Sequence, residues 1–228
     1  MFLLLAALAQ PAPLSPPPSS TPAATPASAV FAGRAMQLDV RTPRVSNEEI
    51  VLDGDANEPV WQGASVLTQF TSYNPVDGRA AEDSTEVRLF YTPDALYVSV
   101  RAWAPPGTVR ATLAERDRIS SDDWVAIHLD TFNDRRRAFV FAVNPLGVQA
   151  DGMRSEQSAG PGVSRASLQA ADLSQDFLWQ SAGRRLDDGF AIEMRIPFKS
   201  IRFQMGRSQD WGLQVVRQTQ RTGYQDTW

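Results

Sequence analysis

Alternation of apolar and polar positions is the main regularity of the chain. Between Asp122 and Phe132, Val125, Ile127 and Leu129 fall on one face of a period-2 element, and Trp124, Ala126, His128 and Asp130 fall on the other. The aliphatic face predicts a buried strand. The opposite face carries an indole, an imidazole and a carboxylate, and reads either as a second packed layer or as a ligand surface. Thr85 to Tyr91 alternates in the same way, with Val87, Leu89 and Tyr91 set against Glu86, Arg88 and Phe90. After a Thr92-Pro93-Asp94 turn, Leu96, Val98 and Val100 resume the apolar face opposite Tyr97, Ser99, Arg101 and Trp103, which predicts a hairpin.

Ala138 to Asn144 and Gly147 to Met153 predict a second hairpin across an Asn-Pro-Leu-Gly turn at 144–147. Phe177 to Arg184, Gly189 to Ile196 and Trp211 to Gln220 read as further strands, with a turn at Asp187-Asp188-Gly189 and one helical turn over Pro197 to Ile201. Ile50-Val51-Leu52 is a short strand candidate leading into an acidic turn. There Asn57 is expected to cap a single helical turn with Pro59 near its start and Trp61 pointing inward. Short strands, turn signals about every ten residues and no sustained helical period predict an all-β, antiparallel β-sandwich of jelly-roll type. Gly223 to Trp228 reads as the start of another element, so a closing strand is expected beyond Trp228 and the sheet edge is expected to be open.

The first residues have a different texture. Phe2 to Ala9 is an apolar run ending in Ala7-Leu8-Ala9, the small-x-small form at which secretory leaders are cut, and residues 1–9 are read as a truncated signal peptide. Residues 10–44, rich in Pro, Ser, Thr and Ala at their start, are read as a disordered tether, because such a tract buries too little apolar surface to offset its ordering entropy. The sandwich is assigned to 45–228. The loop of small residues from Gln157 to Ser167 is long for a connection between strands.

Composition excludes several chemistries. There are no cysteines, which removes disulfides and thiolate sites, and one histidine, His128, which removes multi-histidine zinc centres. A net charge of −4 argues against nucleic acid as a partner; the one dense basic run, Arg135-Arg136-Arg137, is read as a solvated turn. Asp53, Asp55 and Asn57 imitate the opening of a calcium loop, but Ala64 stands where its bidentate Glu belongs, so a turn and cap are expected instead. Glu86 and Glu193 each lie two residues from an arginine, Arg88 and Arg195, and read as cross-strand charge pairs rather than the two carboxylates of a glycosidase. His128 has no nucleophile elbow to serve.

Taken together, the segments resemble a known family. Leu52-Asp53-Gly54 followed by Glu58 and Trp61, Glu86 to Leu89 with Ala95 to Val98, Asp123 to Asp130, Ile192 to Phe198, and Trp211-Gly212 resemble the family-9 carbohydrate-binding modules. The segments Asp130 to Arg136 and Val143 to Gln149 resemble those of Gram-negative proteins that carry such a domain ahead of a C-terminal outer-membrane barrel. The resemblance covers about Ile50 to the end. It implies a glycan-binding β-sandwich with structural calcium, and a longer parent protein. The glutamate carried by the Asp123-to-Asp130 strand of sugar-binding members is here Ala126.

Sugar recognition sets an aromatic face against the apolar side of a pyranose, with amides, carboxylates and guanidinium groups on its hydroxyls. Trp124 with Asp123, Arg118 and Asn144 is the candidate set, and Trp103, on a polar strand face, is a further candidate. The expected function is that of an exported, non-catalytic domain binding a polysaccharide or oligosaccharide and linked to its catabolism. Its expected location is the periplasm, outer membrane or cell surface of a Gram-negative bacterium. A docking or plug domain of an outer-membrane barrel in the same parent chain is the alternative, followed by an accessory module of a glycoside hydrolase.

Overall fold

The computed structural model describes residues 28–46, 50–155, 167–204, 206 and 209–228. The expected signal peptide, most of the Pro-rich tract and positions 157–166 of the small-residue loop lie outside those residues. Twelve strands among the described residues form two six-stranded sheets, so the all-β antiparallel sandwich is the fold. They are β1 (Val30–Ala32), β2 (Ser65–Thr68), β3 (Thr71–Asn74), β4 (Thr85–Tyr91), β5 (Ala95–Trp103), β6 (Trp124–Asp130), β7 (Arg137–Val143), β8 (Gln149–Ser155), β9 (Gln180–Leu186), β10 (Gly189–Pro197), β11 (Gly212–Thr219) and β12 (Tyr224–Thr227). One sheet runs β1-β2-β4-β5-β10-β9 and the other β3-β12-β11-β6-β7-β8. All neighbours are antiparallel except β1 and β2.

The alternation seen in the sequence is the inter-sheet core. Val125, Ile127 and Leu129 of β6 pack with Phe139, Phe141 and Val143 of β7 and Val215 of β11. Against them lie Val87, Leu89, Val98, Val100, Phe190, Ile192 and Met194 of the other sheet. A side chain of this size contributes about 1.5–3 kcal/mol when fully buried, so these rows fix the register of every strand that carries them. Arg217 is the polar exception. From β11 it crosses to the other sheet, where Nη1 donates to the Ser84 carbonyl at 2.8 Å and Thr85 Oγ1 at 2.9 Å, and Nη2 donates to the Trp103 carbonyl.

Each sheet also has an outer layer. Over β4 and β5, Val45 and the segment 50–64 bury Trp61 against Phe90 and Tyr97, with Trp61 and Phe90 edge-to-face at 4.6 Å. Trp61 thus points inward as expected, on a 3-10 turn at Pro59–Gly63. Its N-cap is Glu58 rather than Asn57, because Pro59 takes the first helical position and sets the boundary one residue later. Glu193, fully buried on β10, pins this layer by accepting the amides of Asp53 at 3.0 Å and Gly54 at 2.9 Å. Glu86 pairs with Arg88 at 2.8 Å, along β4 rather than across strands, and Arg195 reaches the Tyr97 hydroxyl at 3.0 Å rather than Glu193.

Several boundaries differ from the sequence reading. Val30–Ala32, assigned to the tether, is a parallel edge strand on Val66, Leu67 and Thr68, held further by Val66 N–H to the Ala29 carbonyl at 2.8 Å. The described fold therefore takes in residues well before 45. Ile50 to Leu52 is not a strand: the ladder positions beside β4 are taken by β2, and Val51 is exposed. Gly223 to Trp228 yields β12, inserted between β11 and β3, so the edge expected there to be open is covered by β3.

The β9–β10 turn leaves no room for a side chain at its glycine. Gly189 has φ +142°, and a Cβ placed on it would lie 2.0 Å from the Ala102 carbonyl oxygen of β5. Gly189→Ala is therefore expected to lower stability by about 2–4 kcal/mol, through backbone strain and displacement of the β5–β10 ladder. A urea midpoint that falls at unchanged m-value checks it.

Candidate functional site

The outer face of β6 resolves into two halves. Its first half is a packed layer. Trp124, 2% exposed, and Ala126 sit in a cluster with Ile119, Val140, Ala142, Ala150, Leu168 and Val216, under the loop before β6 and the 3-10 turn at Leu168–Ala170. Its second half is buried too, but forms the floor of a recess. His128 and Asp130 line a pocket of about 280 Å³ together with Arg135, Arg136, Arg137, Ala138, Arg154, Gly212 and Gln214. The register explains the concavity: on the outer face Gln214 stands opposite His128, while glycine at 212 opposes Asp130 and offers no side chain.

Asp130 builds the wall. Oδ1 accepts the amides of Phe132 at 3.2 Å and Asp134 at 3.3 Å, and Oδ2 accepts that of Arg135 at 2.7 Å. These charge-assisted bonds fold 131–136 back over the strand end, with Asn133 and Arg135 in the left-handed region at φ +52° and +59°. The three consecutive arginines are thereby set on the pocket rim. Arg137 lies over the Phe132 ring at 5.1 Å, and Phe132 is exposed. Behind this rim a second cavity of about 680 Å³ shares Arg137, Arg154 and Ser155 and adds Phe132, Phe139, Met153, Phe177, Lys199 and Arg202. The two cavities meet only at the strand ends that carry Arg137, Arg154 and Ser155: the first lies on the outer face of the sheet, with His128, Ala138 and Gln214, and the second on its inter-sheet side, with Phe139, Met153 and Phe177.

His128 is 3% exposed, and neither ring nitrogen has a hydrogen-bond partner. Burial, aided by the positive charge of Arg154, pushes its imidazolium pKa down to about 3. At ordinary pH it is neutral, with one N–H donor and one acceptor nitrogen unused beneath the pocket. Arg154 Nη1 donates to Gln214 Oε1 at 3.3 Å, which leaves the Gln214 amide nitrogen directed elsewhere.

The five residues singled out by sequence do not converge. Asn144 is fully buried: Nδ2 donates to the Thr112 carbonyl and to Asp122 Oδ2, both at 2.9 Å, and Oδ1 accepts the amides of Leu146 at 3.0 Å and Val148 at 2.9 Å. It organises the Asn-Pro-Leu-Gly turn. Asp123 Oδ2 accepts Arg110 N–H at 2.8 Å and Oδ1 accepts Gln220 N–H at 2.6 Å, while burial raises its pKa above the usual carboxylate value. Trp124 is not a platform, because its ring is enclosed. Arg118 is exposed and pairs with Glu115 at 3.3 Å. Trp103, 36% exposed, lies on the other sheet beneath the Arg101 guanidinium at 4.8 Å. Trp124→Phe is expected to cost about 1–3 kcal/mol of stability through the cavity it leaves. Thermal melts of the two proteins check it.

The cleft was missed because Arg135 to Arg137 reads locally as a turn. The signal for it is the combination of that run with a polar His128 on the preceding strand's outer face. The acids of the 53–57 turn and Asp130 are committed to other partners. Asp53 Oδ1 accepts Asp55 N–H at 2.9 Å, Asp55 pairs with Arg184 at 2.7 Å, and both Asp130 oxygens face amides. Among the described residues no group of three or more His, Asp or Glu side chains is placed to hold a metal.

Comparison with known proteins gives the fold a relative. No protein-family model and no curated protein sequence matches the chain. Among solved structures, a family-9 carbohydrate-binding module from Caldicellulosiruptor kristjanssonii in complex with cellotriose is similar, with TM-score 0.53, 17% identity and coverage of 82% of this chain and 83% of that one. The module in complex with glucose gives TM-score 0.53, 17% identity, and 82% and 85% coverage. A Bacteroides uniformis protein, named for a proposed carbohydrate-binding role, gives TM-score 0.56, 14% identity, and 89% and 90% coverage. The chain is thus a β-sandwich with the fold of the family-9 modules.

Proposed function

We propose that the sandwich is a non-catalytic carbohydrate-binding domain whose ligand lies in the cleft at the second half of β6. The observation that carries this reading is the division of the β6 outer face, which leaves a recess with Gln214 and the unused polar groups of buried His128 among arginines, and with the exposed ring of Phe132 at the neighbouring cavity, under Arg137. An aromatic face and a few fixed polar groups in a concavity are what pyranose recognition requires. The shared fold supports it, since the similar module was solved with cellotriose and with glucose. Export to the periplasm or the outer surface, on a Pro-rich stalk and linked to polysaccharide catabolism, is part of the proposal and rests on Ala7-Leu8-Ala9 and the tract that follows.

A glycan array probed with the folded chain tests the reading. Retention of at least one oligosaccharide or polysaccharide, lost on replacing Gln214 by leucine, is the expected result. A folded sample that is retained by no glycan contradicts it.

A further inference from the structure

The cleft has a chemical bias that the fold's relatives do not explain. The chain has a net charge of −4, yet Arg135, Arg136, Arg137 and Arg154 line the pocket beside His128. Among the described residues the acids that flank the pocket are already engaged: Asp130 accepts three backbone amides, and Asp134 accepts Arg136 N–H at 2.9 Å and lies 3.8 Å from the Arg137 guanidinium. Arg135 and Arg136 are exposed. A recess lined by one sign of charge focuses its field on an incoming ion of the other, and guanidinium groups match the planar fork of a carboxylate and the oxygens of a sulfate.

We propose that the cleft selects an acidic glycan, placing an anionic substituent of the sugar, a uronate carboxylate or a sulfate ester, against Arg135, Arg136 and Arg154. Gln214 and, beneath it, the neutral His128 then take ring hydroxyls. This inference rests on the glycan-binding reading above and adds the class of sugar. Single-stranded nucleic acid, the other polyanion with flat rings, fits less well. Its binding grooves use successive exposed aromatic platforms, and at this rim Phe132 alone is both aromatic and exposed.

The test is affinity gel electrophoresis of the full chain in polygalacturonate, dextran sulfate, unmodified dextran and cello-oligosaccharide-bearing gels, with a single-stranded oligonucleotide competed in solution. Retardation by polygalacturonate or dextran sulfate is expected. It should weaken about tenfold or more when ionic strength rises from low to physiological, because exposed charges are screened beyond a Debye length. Which polymer retards the chain assigns the carboxylate or the sulfate. The double variant Arg135→Asn/Arg136→Ser, whose Asn keeps the left-handed backbone, should lose at least tenfold in affinity while retaining its circular dichroism. Arg202→Ser, in the neighbouring cavity, provides a control that removes one positive charge and is expected to keep its affinity within about twofold; a loss equal to that of the double variant would overturn the placement.

Retardation by dextran or cello-oligosaccharide alone would overturn the acidic-glycan inference and leave the glycan-binding reading standing. No retardation by any polymer would overturn both. Equal competition by the oligonucleotide, or undiminished retardation of the double variant, would also overturn the inference, by showing general polyanion binding or a site elsewhere.

Discussion

Replacing Arg217 by alanine is expected to destabilise the sandwich by about 3–5 kcal/mol, the usual consequence of removing one member of a buried charged network. Arg217 is 1% exposed, so its guanidinium is held by protein groups in place of bulk solvent. It satisfies two carbonyls and the Thr85 hydroxyl of the opposite sheet, lies 5.7 Å from the Phe190 ring and 3.8 Å from Asp83. Burial holds its own pKa below the ordinary arginine value, while Asp83, Asp226 and Asp123 act in the other direction. Alanine would strip the guanidinium from the Trp103 carbonyl and the Thr85 hydroxyl, leave the Ser84 carbonyl with the Trp103 amide alone, and remove the cation that restrains Asp226. Arg217→Met, which keeps the stem over Phe190, should recover only part of the loss. Urea denaturation of both variants at neutral pH measures the effect; a loss below about 1 kcal/mol for alanine would show that water replaces the guanidinium at no cost.

The second large effect is a dependence on pH. His128 has its folded-state pKa lowered from 6.5 to about 3 by burial. A depressed imidazole favours folding above the unfolded value of 6.5, and that contribution is lost as pH falls toward 3. Between about pH 7 and pH 4 the loss from this one group is about 3 kcal/mol, at about 1.36 kcal/mol for each pH step below the unfolded pKa. Asp226 acts with the opposite sign. Burial raises its carboxyl from 3.8 to about 6, so its contribution is present below 3.8 and lost as pH rises through 6. Buried Glu193 and Asp123 are raised too, and act in Asp226's direction. The net profile is therefore a competition, and the histidine term is isolated by comparison. Stability measured at both pH values for the native chain and for His128→Gln should show the native chain losing about 3 kcal/mol more on acidification. Parallel profiles would mean that His128 is hydrated in the folded state.

How much of this could be read from sequence depended on whether the deciding contacts were local. The Thr85-to-Trp103 hairpin and the pair joined at 144–147 carry their own alternation and turn residues, and both fold as read. β2 and β3 were not anticipated: Ser65–Thr68 and Thr71–Asn74 are four residues each, too short to alternate convincingly. Val30–Ala32 is shorter still and gains strand identity only from the neighbouring β2, far along the chain. The site shows the same limit more sharply. Trp124 and His128 are four residues apart on one face of one strand, and the local pattern treats them alike. What separates them is the cover supplied by Ile119 and Leu168 over the indole, and the fold-back of 131–136 that stops short of the imidazole. Aromatic residues drew the sequence reading to Trp124 as a sugar platform; long-range packing had already used it.

The division of that face is the claim on which the functional account stands, and amide chemical-shift mapping tests it directly. On titration of the chain with a short oligogalacturonide, the amides of 130–137, Arg154 and Gln214 should move and saturate together, while those of Ile119, Trp124 and Leu168 stay in place. Shifts centred on Trp124, Arg118 or Trp103, with 130–137 unmoved, would contradict it.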